Sequence, residues 1–332
     1  MPTQVENGKA FEYAIATSYY QYLKDELHLS VELVRDSAFE YTERCYNSLT
    51  EHAQQGFRQA ALKTIETMLV IEPGLAAEKN ASDTLKIHIA PDVEGQFGDV
   101  RDVIFQRLAT RPIWEIGFSA KNNHDAVKHS RLSLSIDFGK EWLANGEKDT
   151  IYHCSPAYFD EIKPIFSWIR QLRSDNPEMK WSDLGDAKSE KVYKPLLDAF
   201  LAEMLRLNES CPDVPKRLLN YLIGKMPFYK IIKDDRNNLV IVKAFNLGGK
   251  LNRTVNGMRP KARTEHIRFP KRIIEFAYKE NSDNTLLMVL DEGWQISFRI
   301  HSASTFLENS LKFDIQLIGN PPVLFTQHLF NL

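Results

Sequence analysis

At Pro73-Gly74 the spacing of apolar residues changes, and with it the kind of element the chain can build. Before that point the period is helical. Phe11, Ala14, Ile15 and Ser18 fall at i, i+3, i+4 and i+7, with Tyr19, Tyr22 and Leu23 extending the stripe. Ala60 to Ile71 is a second such run, which Pro73-Gly74 stops. Asn7-Gly8 reads as a cap region, and Ser30 and Ser37 as caps of later helices. Beyond Pro73-Gly74 the period falls to two. Leu85 to Ile89 alternates as a strand, Asp102 to Leu108 reads as a second and Ile113 to Ala120 as a third. In the third, Ile116 and Phe118 share one face while Glu115, Gly117, Ser119 and Lys121 share the other.

The remainder divides in the same manner. His124 to Trp142, Tyr158 to Leu172 and Tyr193 to Leu207 read as helices, with a polar loop from Ser174 to Lys191. Leu239 to Phe245 opens a strand-rich stretch continued by Ile273–Tyr278, Thr285–Leu290, Trp294–Ile300 and Leu311–Leu317. The expected class is α/β, of the α+β kind. Two parts are expected, 1–210 and 211–332, packed together, with the boundary near Cys211-Pro212, Pro215 and Pro227.

A chain of 332 residues, 43% hydrophobic and 26% charged, fits an ordinary globular protein with a sizeable core. Cys45, Cys154 and Cys211 lie far apart with no C-x-x-C spacing, which argues against a zinc site or a disulfide framework. Met1 to Glu6 does not resemble a signal peptide, and no apolar stretch approaches a membrane span. An intracellular protein without a membrane partner is expected. The net charge of −2 does not point to a polyanion, so any nucleic-acid surface has to come from local clustering.

Asp99 and Asp102 stand at the entrance of one strand, and Lys121 at the end of the next. Adjacent strands would bring Asp102 and Lys121 to one end of a sheet. Hydrolysis of a phosphodiester needs such a group. Hard oxygen ligands hold Mg²⁺, and a neighbouring lysine orients or activates the attacking water. Glu115 shares a strand face with Lys121, but Ser119 stands where an acid is expected, two residues before the lysine. Asp99, Glu12 or a backbone carbonyl is left to supply the missing ligand. Asp and Lys at strand ends are also common as solvated residues.

Two further stretches point to DNA. Asn122, Asn123, His124, Lys128, His129 and Arg131 follow the lysine directly, and on a helix Lys128 and Arg131 would share a face. From Lys250 to Arg272 the chain carries Arg253, Arg259, Lys261, Arg263, Arg268 and Lys271, with Glu265 its only acid. Asn252 and Asn256 lie among these cations. Such a loop suits a phosphate backbone, and arginine and asparagine suit base edges. The alternative for each stretch is a solvated surface. Arg299 and His301, on a strand leading into Ser302, are further contact candidates.

These residues also carry a family likeness. The blocks Asn7 to Glu12, Gly98 to Val103, Trp114 to His124, Ala126 to Ser133, Trp294 to Ser304 and Ser310 to Asp314 resemble type II restriction endonucleases of the HaeIII type. That family is similar to the PD-(D/E)XK nucleases. The resemblance implies a mixed central sheet flanked by helices, a restriction-endonuclease-like core within 1–210 and a DNA-recognition part within 211–332. It implies Mg²⁺-dependent cleavage of double-stranded DNA at a short palindrome, GGCC in the best-known members. By match, Asp102 is the motif aspartate and Lys121 the motif lysine, and Glu12 belongs to a helix that brings a glutamate to the site. Glu115 is a catalytic candidate beside them, and Asp99, Asp102 and Glu12 are the metal candidates. A homodimer on the palindrome, a cognate DNA methyltransferase as genetic companion, and the prokaryotic cytoplasm are expected. The rival readings are a repair or recombination nuclease and a sequence-specific DNA-binding protein without catalysis.

Overall fold

The computed structural model describes residues 3–80, 83–91, 99–123, 126–144 and 150–330, without the side chains of Ala126, Lys128 and His129. The chain forms two compact units. Unit 1 comprises 1–125, 225–267 and 323–332, and unit 2 comprises 126–224 and 268–322. A single cut at 210/211 therefore does not separate them. The chain leaves unit 1 directly after the strand that carries Lys121, and later returns to it twice.

In chain order, unit 1 opens with helix α1 (Gln4–Gln21), strand β1 (Val31–Leu33), helices α2 (Ser37–Asn47) and α3 (Glu51–Ile71), and strands β2 (Leu85–Ile89), β3 (Val103–Arg107) and β4 (Trp114–Asn122). Unit 2 then contributes β5 (Ala126–Leu132) and helices α4 (Pro156–Asp175), α5 (Lys194–Ser210) and α6 (Val214–Ile223). Strands β6 (Phe228–Asp234) and β7 (Leu239–Phe245) return to unit 1. Unit 2 resumes with β8 (Ile273–Tyr278), β9 (Thr285–Leu290), β10 (Gln295–His301) and β11 (Leu311–Gly319), and β12 (Phe325–Phe330) closes unit 1.

Unit 1 is a seven-stranded sheet in the order β1-β2-β3-β4-β6-β7-β12. The pairs β1/β2 and β4/β6 are parallel and the other pairs antiparallel, so the expected mixed sheet is present. Phe11, Ile15 and Tyr19 of α1 and Phe57, Ile65 and Met68 of α3 share a core with Ile87, Phe105, Ile116 and Phe118 of the sheet. Tyr19 packs edge-on against Phe105 and Phe118, at 5.2 and 5.3 Å between ring centres. The core side of β4 is therefore the Ile116/Phe118 side, as its alternation predicts. Helix α1 begins earlier than the Asn7-Gly8 expectation. Thr3 caps it by accepting from the Glu6 backbone N–H, while the Glu6 carboxylate accepts from the Thr3 backbone N–H. Asp36, rather than Ser37, caps α2, and Ser30 leads into β1 rather than a helix.

Unit 2 is a five-stranded antiparallel sheet, β5-β11-β10-β9-β8, with Phe298 and Phe313 packed on Phe200 of α5. The expected helix over His124–Trp142 is not there. Ala126–Leu132 is an edge strand whose partner, β11, lies far along the chain, and only Gly139–Leu143 is a short helical turn. A long-range pairing of this kind leaves no local signal. The helical spacing on which a shared Lys128/Arg131 face was expected is therefore absent.

Candidate active site

The β3–β4 hairpin builds the centre of the site. Val103 pairs with Phe118, which places Asp102 at the mouth of the hairpin beside the end of β4. Its backbone N–H donates to Phe118 O at 2.7 Å, and its Oδ2 accepts from the Ala120 N–H at 2.7 Å. The same oxygen stands 3.4 Å from Lys121 Nζ, and both side chains are about three-quarters buried. The carboxylate is thus fixed by main chain, and the ammonium is fixed by the carboxylate.

Helix α1 packs along the sheet and delivers Glu12, which is 4% exposed. Lys9, one helical turn earlier, holds it at 3.0 Å. Burial, and then the charge of Asp102, push the Glu12 carboxyl well above the usual carboxylate range, although Lys9 and Lys121 pull it down. A buried carboxyl raised in part by a second carboxylate offers a pair of hard oxygen donors, and a divalent cation relieves the cost of ionising Glu12. Asp102 and Glu12 therefore fit a metal ion. Among the described residues no group of three or more His, Cys, Asp or Glu gathers around one point.

Asp99 and Glu115 are engaged elsewhere. The Arg101 guanidinium, 7% exposed, binds Asp99 through Nε and Nη2 at 2.6–3.0 Å and Glu115 through Nη1 at 2.5 Å. Gln106 adds a second hydrogen bond to Glu115. Burial works to raise the Glu115 carboxyl, but these hydrogen bonds outweigh it and hold it below the usual range. The structure thus brings Glu12, Asp102 and Lys121 together and ties Asp99 and Glu115 to Arg101. Ser119 is buried on β4 beside Lys230 of β6.

The expected DNA contacts are spread over both units. In unit 1, Asn122 lines a cavity of about 480 Å³ with Asn7, His52, Gln59 and Lys233. Asn123 has a positive φ and pairs its amide with Asp235, donating at 2.7 Å and accepting from the Asp235 N–H at 2.8 Å. Lys250, Arg253, Arg259, Lys261 and Arg263 are all exposed. The Asn256 amide instead donates to Ala77 O and Asp83 Oδ2, which fastens its loop. In unit 2, Arg131 reaches Ser310 at 2.7 Å, Arg299 binds Asp314 at 3.0 Å, and His301 Nδ1 lies 2.9 Å from Ser302 O. His124 and the side chains of Lys128 and His129 lie outside the described residues. Three groups went unnoticed in the sequence. The i, i+3 spacing of Lys9 and Glu12 on a helix would have flagged one, whereas nothing local marks Arg101 or Lys233.

The HaeIII restriction endonuclease family matches residues 8–321. The chain belongs to this family. A curated relative, the type II restriction enzyme HaeIII of Haemophilus aegyptius, is 35% identical over 320 residues, covering 96% of this chain and 95% of its own length. No solved structure matches significantly. The HaeIII-family chain is accordingly a type II restriction endonuclease, a site-specific deoxyribonuclease whose substrate is double-stranded DNA, and its class generally uses a divalent metal. No described helix of this family member is long and apolar enough to cross a membrane.

Proposed function

We propose that this endonuclease cuts duplex DNA at GGCC with Mg²⁺ as its metal, using Asp102 and Glu12 to hold the ion and Lys121 to place the attacking water. The observation that carries the reading is the junction at the end of β4, where Lys121 Nζ stands 3.4 Å from an Asp102 oxygen beside the buried Glu12. The target sequence rests on the likeness to HaeIII. A bound Mg²⁺ would polarise the phosphate and offset charge that builds on it. The chain's own part is positional. Asp102, pinned by the Ala120 N–H, keeps Lys121 Nζ from swinging into solvent. Lys121 donates hydrogen bonds to the incoming water and a phosphate oxygen, aligning attack on phosphorus as the opposite P–O bond breaks. Glu115, held ionised by Arg101, acts through the hairpin rather than at the reacting atoms.

The exposed cations Arg259, Lys261 and Arg263 of unit 1 and Arg131 of unit 2 contact DNA in this reading, and so does Asn122. Lys128, His129 and His124 remain candidates on sequence alone. Arg299 and His301 extend the base-reading surface of unit 2. A palindrome favours a two-fold homodimer, each copy meeting an equivalent half-site. A methyltransferase of the same specificity accompanies the enzyme genetically, in a prokaryotic cytoplasm.

Plasmid DNA incubated with Mg²⁺ or EDTA, followed by mapping of the ends, tests the reading. Discrete ends at GGCC that require Mg²⁺ support it. Ends at another sequence overturn the target, and cutting in EDTA overturns the metal.

A further inference from the structure

A second cavity, of about 450 Å³, lies in unit 1 at the opposite end of β4 from Lys121. Arg101, Arg111, Lys250 and Arg253 line it, together with Glu115 and Asn256. Arg101 and Glu115 neutralise each other at 2.5 Å, and Asp99 takes up the rest of the guanidinium. Arg111, Lys250 and Arg253 are exposed and form no ion pair with a carboxylate among the described residues. Two separate stretches of chain thus bring three open cations into one concavity. Like charges gathered in this way repel, and an anion is what offsets the cost.

The backbone under these cations is tied down. Arg111 Nη1 donates to Leu108 O at 2.8 Å and Thr110 O at 2.9 Å, while Thr110 Oγ1 accepts from the Trp114 N–H at 2.7 Å. On the other side, Asn252 sends its amide to Ile71 O and Ala262 O and accepts from the Thr264 N–H. Asn256 clamps the same segment to Ala77 and Asp83. None of these bonds uses Lys250 or Arg253. Charges held on fixed backbone lose little freedom when they take a ligand.

We propose that Arg111, Lys250 and Arg253 form a clamp for a phosphodiester of the DNA backbone, one that is not the phosphate being cut. The separation supports this assignment, which rests on Lys121 marking the cut. Glu115 lines the cavity and Lys121 lies six residues along β4, which at roughly 3.3 Å per residue is about 20 Å. Phosphates along one strand of a duplex are spaced several ångströms apart, so a single duplex supplies both positions. Such a contact fixes register and adds affinity without reading sequence.

The test is duplex binding without cleavage, in EDTA, on a GGCC duplex and on an unrelated one over about 50–200 mM salt. Arg111→Gln and Lys250→Gln, from different segments, are each expected to weaken both duplexes by the same factor, roughly five- to tenfold. Each is also expected to lower the salt slope by about one ion. Arg111→Lys should keep the slope. An unchanged slope in both glutamine variants, with an unchanged melting profile, overturns the clamp. Weakening confined to the GGCC duplex also overturns it, because that outcome means base reading. Calorimetry with inorganic phosphate separates the remaining source. Tight phosphate binding that Arg111→Gln abolishes, alongside an unmoved DNA slope, overturns the proposal in favour of a free-phosphate site. Should Lys121→Ala cut at the full rate, the assignment of the cut position fails while the salt slopes still report on the clamp.

Discussion

Glu12 is kept from water on a helix face, with Asp102 as a neighbour of the same charge. Its replacement by Gln keeps the shape and removes the charge that would hold a metal. Glu12→Gln is expected to raise the Mg²⁺ concentration for half-maximal plasmid cutting by about tenfold or more. An unchanged midpoint removes Glu12 from the metal. Lys121→Ala removes the only side chain that Asp102 fixes by charge among the described residues. Single-turnover cutting should fall by about 10²-fold or more, the scale of losing one preorganised donor. Wild-type rates would end the assignment. This pair was legible in the sequence because a hairpin joins the two residues. The competition for Asp99 and Glu115 was not, because spacing treats every acid alike and cannot show that Arg101 is folded between them.

At the scale of elements, close backbone approach and loop anchoring decide how β4 and its neighbours hold the site. A Cβ at Gly117 would collide with the Arg101 side-chain methylenes, so any larger residue there forces Arg101 to move. Gly117→Ala is expected to displace Arg101, leave Asp99 and Glu115 unpaired, and lower stability by about 1–3 kcal/mol in urea titration. A neutral result would mean that the guanidinium does not need that space. Asn252 stands at φ +58° and makes three side-chain hydrogen bonds that fix the start of the basic loop. Asn252→Ala should cost about 2–4 kcal/mol by the same measurement. Strands β2, β3, β4 and β7 to β11 were legible from short apolar runs between turn signals, as were α4 and α5. Strand β6 was not, since Lys230 and Lys233 interrupt its run although the fold buries both. Strand β5 was misread because its stability comes from β11 rather than from its own pattern.

For the molecule as a whole, stability should depend on pH through the buried carboxyl of Glu72. Burial pushes Glu72 up to about 7, against hydrogen bonds from Tyr229 Oη and the Asn252 N–H, both at 2.6 Å. The folded state then binds a proton that the unfolded chain releases near 4.5. This contribution is complete below about pH 4.5 and is lost as pH rises through about 7, to a total on the order of 3 kcal/mol. Glu72→Gln should flatten the melting temperature between pH 5 and 8, whereas a parallel profile would assign the dependence to other groups. Unit 1 is closed by β12, which is synthesised after every segment of unit 2. Until the ribosome has delivered Phe325–Phe330, β7 presents an unpaired edge of Leu239–Phe245, an invitation to aggregate. A nascent chain therefore cannot finish unit 1 before unit 2 exists, and a deletion beginning at Val323 should yield inclusion bodies rather than a smaller folded protein.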